Sequence, residues 1–413
     1  MKTRFGRGTI FIIFIAIIIF GSIARGHGIH QTNRDSDHGA DDGHSHDLDV
    51  WSHDDDNDKT IWQKIEWGFG VNGVLQGCST PSGSGISDGV DGLLYANLEC
   101  LIPVLKHGKL FGELHIVQGE AADGRIDTFS RFFRKHTDEH HHDGAEGVHL
   151  CELWYEHQWF DGRFRGRVGY VDLRTDFDTN EYANCEGEQF MSWGFISNLA
   201  MEAPLRGLGG MFWTKIGERW ELGFGYSEDE ETWNDLFRHG FGMLQLTYKA
   251  NFLGRPGNYR VYGWWNGEDH EEWLGAGRTD LRNAGWGFSF DQEITNHLGL
   301  FFRYGTQNRR VMEIGNALSV GFQFKNFSCR REHDAIGFAY GCAFLSKDYT
   351  DFVAADPADG FETANEHHIE FYYRVHINKY IQITPDIQWV KNPAGNKEIG
   401  SAWVFGLRGY FAI

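Results

Sequence analysis

The feature of this chain that most constrains its fold is an alternation of apolar and polar residues with a period of two, which runs from residue 61 to residue 413. Side chains on a β-strand point alternately to opposite faces, so this period predicts strands rather than helices. In one such segment the apolar residues are Trp220, Leu222, Phe224 and Tyr226, and the residues between them are Glu221, Gly223 and Gly225. Each segment is about ten residues long, which is the length of a tilted strand that crosses a membrane.

The pattern predicts about sixteen strands, joined by connections that alternate between short turns and long loops. The strands span residues 65–76, 91–102, 109–119, 148–159, 163–173, 208–216, 219–227, 240–250, 258–266, 283–293, 298–306, 316–326, 334–344, 366–377, 381–391 and 401–411. The long loops lie near 77–90, 120–147, 174–207, 228–239, 267–282, 307–315, 345–365 and 392–400. Outer-membrane barrels have short periplasmic turns and long outer loops, whereas a soluble sandwich has no reason to sort its connections in this way. We therefore expect an all-β fold, a transmembrane antiparallel β-barrel.

The tightest predicted hairpin indicates which face of the barrel is wet. A two-residue turn at 161–162 places Glu156 opposite Arg167 and Gln158 opposite Arg165. The other face carries Tyr155, Trp159, Phe164 and Val168. A ladder of opposite charges is stable only on a face that water reaches, so the charged face is expected to line the interior.

The N-terminal sequence divides the chain into three parts. A basic start with Lys2, Arg4 and Arg7 and an apolar run over residues 10–20 predict a signal peptide over residues 1–24. Residues 25–60 are rich in His and Asp and nearly free of apolar residues, which predicts a disordered tail. Residues 61–413 are expected to form the barrel.

Composition supports this class and excludes others. Aromatic residues make up 15% of a chain whose mean hydropathy is negative, as expected for a barrel with aromatic girdles and a wet interior. The formal net charge of −20 argues against nucleic acid as a partner. Cys78 and Cys100 are predicted at opposite ends of the barrel and cannot bond, so Cys151 with Cys185 is the only disulfide left open.

Several runs of residues resemble the carbohydrate-selective porin (OprB) family. They are ELWYEHQ at 152–158, GYVD at 169–172, DFDTN at 176–180, ITPDIQWVKNP at 383–393 and GLR at 406–408. The resemblance extends over roughly residues 60–413 and implies a sixteen-stranded outer-membrane channel that favours sugars.

Sugar passage requires polar groups that replace the hydrogen bonds between water and the sugar hydroxyls. It also requires aromatic side chains that contact the apolar face of the sugar ring. The candidate lining residues are Glu113, His115, Glu152, Trp154, Glu156, Arg165, Arg167, Arg260, Tyr262, Trp264, Arg303, Glu370, Arg374, Gln388 and Arg408. Trp154, Tyr262 and Trp264 fall on the inward parity and form a stacking surface, unless the register is off by one and they belong to a girdle. The charged residues form either a specific sugar site or a generic solvated lumen.

The long loop at 174–207 is a second candidate, because such a loop can fold inward and narrow the pore. Its Asp176 and Asp178 match the family run and are expected to contact solute. The alternative is that these residues form Asx turns in an exposed loop.

The histidine tracts suggest weak metal binding, with His44, His46, His140, His141 and His142 as candidate ligands. Imidazole and carboxylate suit zinc, copper or nickel, but no fixed ligand spacing is present. A solvated, pH-responsive tail is the alternative. We expect no cofactor, because no pattern in the chain requires one.

The function expected from the sequence is passive diffusion of carbohydrates and similar small polar solutes across the outer membrane of a Gram-negative-type bacterium. A general or metal-related porin is the alternative within transport. An outer-membrane enzyme or adhesin is a further alternative, although no Gly-x-Ser-x-Gly motif or nucleophile–histidine pair stands out. The expected partners are membrane lipid and small sugars, and the sequence leaves open whether the barrel is a monomer or a trimer.

Overall fold

The computed structural model describes residues 64–81, 88–133, 146–204, 206–228, 239–275, 277–326, 331–356 and 360–413. These residues form sixteen strands in one closed antiparallel barrel. The strands are β1 Glu66–Ser79, β2 Gly89–Leu105, β3 Gly108–Gly119, β4 Gly147–Trp159, β5 Phe164–Val171, β6 Gly207–Ile216, β7 Trp220–Ser227, β8 Phe241–Phe252, β9 Arg255–His270, β10 Leu281–Thr295, β11 Leu298–Thr306, β12 Ile314–Lys325, β13 Ala335–Leu345, β14 Glu366–Asn378, β15 Ile381–Lys391 and β16 Ser401–Ala412. The expected fold class is confirmed.

The helices of the described residues all lie in connections. They are α1 Trp193–Ile196, α2 Lys347–Ala355 and the 3-10 turns Ala122–Gly124, Leu173–Thr175 and Pro393–Gly395. None of the helices in the described ranges is long and apolar enough to cross a membrane.

Pairing between the first and last strands closes the barrel. β1 and β16 are antiparallel, with Gly70 opposite Ala412 and Ser79 opposite Trp403. Every other strand pairs with its neighbours in the chain. Closure leaves no strand edge, which is a requirement for a sheet in a bilayer because lipid offers the backbone no hydrogen-bond partners.

The β4–β5 hairpin has the predicted register. Glu156 lies opposite Arg167 and Gln158 opposite Arg165. The turn has positive φ at Phe160 (54°), Asp161 (55°) and Gly162 (74°). Positive φ at the two central residues, Asp161 and Gly162, is what a tight hairpin turn requires, and this conformation favours glycine.

The two faces of the barrel differ as the period of two predicts. The outward residues Trp220, Trp286 and Trp403 are 44–46% exposed, whereas Arg408 and Val404 on the inner face are fully buried. Apolar side chains exposed around a whole barrel would be unstable in water, so this outer face is the lipid-facing surface.

Connection lengths follow the predicted alternation with one departure. The β2–β3 and β14–β15 turns contain two residues each, 106–107 and 379–380. The β12–β13 connection, on the same side, spans residues 326–334 and is longer than the outer β11–β12 loop at 307–313. Loop length alone therefore does not assign every connection to its side.

Two of the outer loops turn back into the barrel. We call residues 120–133 the short inner loop and residues 172–204 the long inner loop. Many of their apolar side chains are fully buried, among them Ile126, Phe132 and Phe190. The expectation that the long loop near 174–207 folds inward is met, whereas the inward fold of the short inner loop was not predicted.

Cys78, Cys100, Cys185 and Cys342 are free thiols. Because Cys185 is free, the disulfide between Cys151 and Cys185 that the sequence left open is not formed. The proposed signal peptide and tail, residues 1–60, lie outside the described residues.

Candidate functional site

The long inner loop is held in place by a buried ion pair between Asp178 and Arg303. The Arg303 guanidinium donates to the carbonyls of Ala183 (2.8 Å), Phe195 (2.5 Å) and Asp178 (2.8 Å). The Tyr262 hydroxyl donates to Asp178 Oδ1 at 2.8 Å. Burial raises the pKa of the Asp178 carboxyl, and the nearby Arg303 charge opposes that rise. Arg303, Asp178 and Tyr262 all face inward, but their partners in the structure include one another, the loop backbone and the Asn198 side chain, which donates to the Tyr262 hydroxyl at 2.7 Å.

Other charged residues of the barrel wall also bind loop backbone. Two wall carboxylates accept from loop nitrogens: Glu370 accepts from Met191 N (2.6 Å) and Ser192 N (3.0 Å), and Glu152 accepts from Asp172 N (2.9 Å). Two wall arginines donate to loop carbonyls: Arg408 to that of Glu186 (2.5 Å) and Arg374 to that of Glu188 (3.2 Å). A buried polar group is costly unless it is hydrogen-bonded, so each of these bonds helps to fix the path of the loop.

The short inner loop is fixed in the same manner from β14 and β15. The Glu366 carboxylate accepts hydrogen bonds from the backbone nitrogens of Phe129 (2.9 Å) and Ser130 (2.8 Å). Gln388 donates to the carbonyl of Phe132 at 2.9 Å. The two inner loops also contact each other, because the Gly194 nitrogen donates to the Ser130 carbonyl at 2.8 Å.

A cluster of opposite charges lies where β4 and β5 meet the long inner loop. Arg167 bonds Glu156 at 3.0 Å and Asp176 at 2.6 Å. Arg165 reaches Asp176 at 3.2 Å, and Lys109 lies 3.3 Å from Glu156. Arg165 keeps 16% of its side chain exposed, whereas Arg167 is fully buried. Arg165 and Asp176, which is 11% exposed, are therefore the more accessible members of this cluster.

The inward tryptophans are covered by protein on their faces. The Trp154 ring is stacked on Phe111 at 4.8 Å, and the Arg167 guanidinium lies 3.9 Å from its centroid. Trp264 is stacked on Phe241 at 5.7 Å and is 3% exposed. The register placed these rings on the correct face, but the structure leaves them little free surface for a sugar.

A water-accessible recess of about 70 Å³ lies between the two arms of the long inner loop. One arm contributes Asp172 and Arg174, and the other contributes Asn184, Glu186 and Trp193. The Arg174 guanidinium lies 5.0 Å from the centroid of the Trp193 ring. Arg174 is oriented by Asp172, which it binds at 2.9 Å and 2.6 Å. The recess thus combines an aromatic ring, a planar cation and several hydrogen-bonding groups.

The remaining predicted residues have inward partners or lie outside the described ranges. Glu113 and His115 contact each other at 2.5 Å, and Arg260 pairs with Asp291 at 2.6 Å. The candidate metal ligands are not among the described residues; these are His44, His46, His140, His141 and His142.

Sequence reasoning missed Trp193, Arg174 and the whole short inner loop. A usable signal was present, since these supposed outer loops contain many apolar residues. The long inner loop carries Phe177, Tyr182, Phe190, Met191, Trp193, Phe195 and Ile196. An exposed loop has no reason to be this apolar, so the composition indicated burial.

A closed sixteen-stranded barrel with a lipid-facing apolar exterior and inner loops that narrow a polar interior defines a porin of the bacterial outer membrane. A family model, described as carbohydrate-selective porin, OprB family, matches residues 68–412. The chain therefore belongs to the carbohydrate-selective porin family OprB, and it is an outer-membrane porin for sugars.

Individual proteins are similar to this chain at low identity. Porin B of Pseudomonas aeruginosa is 21% identical over 313 residues, which cover 63% of this chain and 67% of that protein. The putative porin QuiX of Acinetobacter baylyi is also 21% identical, over 300 residues that cover 62% and 67% of the two chains. The high-pH structure of Pseudomonas putida OprB has a TM-score of 0.74 at 17% identity and covers 86% of this chain and 95% of that one. This last similarity supports the fold.

Proposed function

We propose that sugars cross the barrel between the two arms of the long inner loop and bind transiently at Trp193 and Arg174. The observation that carries this proposal is the recess itself, which Trp193, Arg174, Asp172 and Asn184 line. Trp193 is half-buried, so it retains accessible surface, whereas Trp154 and Trp264 do not.

The chemistry of the recess suits a carbohydrate. An indole ring offers a flat apolar surface to the C–H face of a sugar ring, and Arg174 presents planar N–H donors to hydroxyl oxygens. Asp172 and Asn184 add acceptors for hydroxyl hydrogens. A site of few polar groups and one ring binds weakly, as a channel requires, because a solute that binds tightly does not leave.

We propose that Arg165 and Asp176 set the potential beside this path, since both remain partly exposed at 16% and 11% of their side chains. Diffusion down a gradient needs no cofactor. The family and the fold are those of channel proteins, and we infer that this chain performs no catalysis.

One side-chain cluster bears directly on that inference. Ser130 Oγ lies 2.7 Å from His368 Nδ1, and His368 Nε2 lies 3.1 Å from Gln388, an arrangement similar to a hydrolase triad. The Ser130 hydroxyl also lies 2.5 Å from Glu366, and all four side chains are at most 3% exposed. A nucleophile must reach its substrate, so this buried cluster supports a role in holding the short inner loop.

Sugar block of the ion current tests the proposed path. In planar bilayers the current through the wild-type channel should fall with added sugar, and Trp193→Ala should weaken this block by about tenfold, roughly the value of one lost aromatic contact. Trp193→Phe should retain most of the block because it keeps an aromatic face. Trp286→Ala is the control, since Trp286 faces lipid.

The same recordings separate the alternatives. Unchanged block in Trp193→Ala would contradict the proposed path, and absence of block in the wild type would favour a general porin.

We also propose that residues 1–24 are a signal peptide and that residues 25–60 form a tail outside the barrel. A chain without residues 25–60 should therefore show the wild-type block, and loss of folding in it would contradict this division.

A further inference from the structure

Three metal-binding side chains meet at the outer end of β9, apart from the proposed sugar path. They are Glu202 at the end of the long inner loop and Glu268 and His270 on β9. One ligand atom from each lies within 4.8 Å of the other two. All three side chains are half-buried, so ions in solution can reach them.

Contacts with the long inner loop place the cluster on the channel side. The β9–β10 register shifts between Asn266 and His270, but His270 binds Glu202 of the long inner loop, and Glu202 accepts a hydrogen bond from Asn283, which is fully buried. The cluster therefore lies at the outer mouth of the channel, where the long inner loop returns to the barrel wall.

Hydrogen bonds around the cluster orient its ligand atoms. His270 Nδ1 lies 3.0 Å from the backbone carbonyl of Glu268, and Nε2 lies 2.9 Å and 3.0 Å from the two oxygens of Glu202. These oxygens only accept, so both ring nitrogens donate in this arrangement, and a metal ion would bind Nε2 in place of its proton. Asn283 donates to Glu202 Oε2 at 2.9 Å and holds the carboxylate in place. Metal-binding histidines typically have their second nitrogen bound to a carbonyl or carboxylate in this manner.

The geometry is close to that of an occupied site. Zinc ligands lie about 2.0–2.2 Å from the metal, so ligand atoms in a tetrahedral site are about 3.4 Å apart. Nε2 and a Glu202 oxygen need to separate by about half an ångström to reach that spacing, and the Glu268 oxygen, which lies within 4.8 Å of the other two ligand atoms, needs to approach them by up to about 1.4 Å. The half-buried side chains can move this far without disturbing a strand.

We propose that Glu202, Glu268 and His270 form a binding site for a divalent transition metal ion, with Zn²⁺ as the best fit, that fastens the long inner loop to β9. One imidazole and two carboxylates favour Zn²⁺ over Ca²⁺ and Mg²⁺, which prefer oxygen ligands alone. Three protein ligands leave a fourth position for water. The occupied site cross-links the loop that narrows the channel to the channel wall.

Zinc binding to the purified full-length chain in detergent tests this proposal. Wild type should bind one ion more than His270→Ala, while His297→Ala, which changes an exposed histidine in the β10–β11 turn, should lose none. The His-rich segments contribute equally to every variant, so the difference reports this site alone. Crystals grown with Zn²⁺ should show an anomalous peak about 2.1 Å from His270 Nε2.

Glu268→Gln separates a metal site from a simple ion pair between His270 and Glu202. An ion pair does not need the Glu268 carboxylate, whereas a metal site with this ligand removed should bind Zn²⁺ at least tenfold more weakly. Loss of the anomalous peak in this variant would support the proposal. Equal zinc binding by wild type, His270→Ala and Glu268→Gln, with no peak among the three side chains, would overturn it.

Discussion

Arg167 and Val168 are neighbours in the chain and have opposite environments. Arg167 is fully buried inside the barrel between Glu156 and Asp176, whereas Val168 is 50% exposed on the lipid face. A positive charge at position 167 is therefore stabilised by two carboxylates, whereas a positive charge at position 168 would face hydrocarbon.

We expect Arg167→Gln to assemble and to shift the ion selectivity of the channel towards cations, because it removes one positive charge beside Glu156 and Asp176. Val168→Arg should assemble poorly, since an arginine facing lipid near the membrane midplane costs about 2–4 kcal/mol. Heat-modifiable mobility measures assembly and reversal potentials measure selectivity. If the two variants exchanged these outcomes, the register of β5 would be wrong by one residue.

The sequence predicted the direction of interior side chains better than their contacts. Parity placed Trp154, Arg303 and Glu370 inside the barrel, and the structure has them there. Their partners lie far away in the chain, since Arg303 binds residues 108–125 positions before it. A period of two carries no information about such partners, because the period is local and the contacts depend on how a loop folds back.

The two inner loops are the elements that turn a wide barrel into a narrow channel. Phe190 of the long inner loop packs against Phe195 of the same loop and against Phe301 and Tyr372 of the barrel wall. The centroid of the Phe190 ring lies 5.5 Å from those of Phe195 and Phe301 and 5.0 Å from that of Tyr372. Burial of these rings supplies the stability of the packed loop, and the ion pair between Asp178 and Arg303 fixes its position.

Arg303→Gln should release the long inner loop while the barrel itself assembles. The change leaves Asp178 buried without its charge partner, which typically costs about 3–5 kcal/mol. The single-channel conductance should rise and become noisy, because the narrowing segment is no longer held. Arg309→Gln is the matched control, since Arg309 is exposed and bonds only Asn316 among the partners seen here. A conductance trace equal to wild type would show that Arg303 does not hold the loop.

The sequence predicted that the long loop folds inward, and the unusual length of this loop in a sixteen-stranded barrel supplied that prediction. Loop length predicts only that residues 120–147 form an outer loop, whereas Ile126, Phe132 and Phe133 of the short inner loop are at most 1% exposed. The apolar residues of this segment, and not its length, indicate that it is buried. Tertiary packing against β14 and β15 decides the position of that segment.

At the scale of the whole molecule, the strand pattern was sufficient for the architecture. All sixteen predicted strands overlap observed ones, and closure between β1 and β16 follows from an even number of antiparallel strands. Each strand has lipid on its outer face and water or an inner loop on its inner face, so the same alternation of apolar and polar residues recurs in every strand. The path of a solute through the barrel depends on how the inner loops fold, and the strand pattern does not predict this.

As a carbohydrate-selective porin, this barrel is expected to pass sugars passively and faster than other small solutes of similar size. Swelling of proteoliposomes that contain the purified chain and no energy source measures this directly. A hexose should enter in proportion to its gradient and faster than a zwitterionic amino acid of similar size, because the site proposed at Trp193 and Arg174 offers the sugar an aromatic face and hydrogen-bond donors. Equal rates for the two solutes, or no entry of the hexose, would contradict the account.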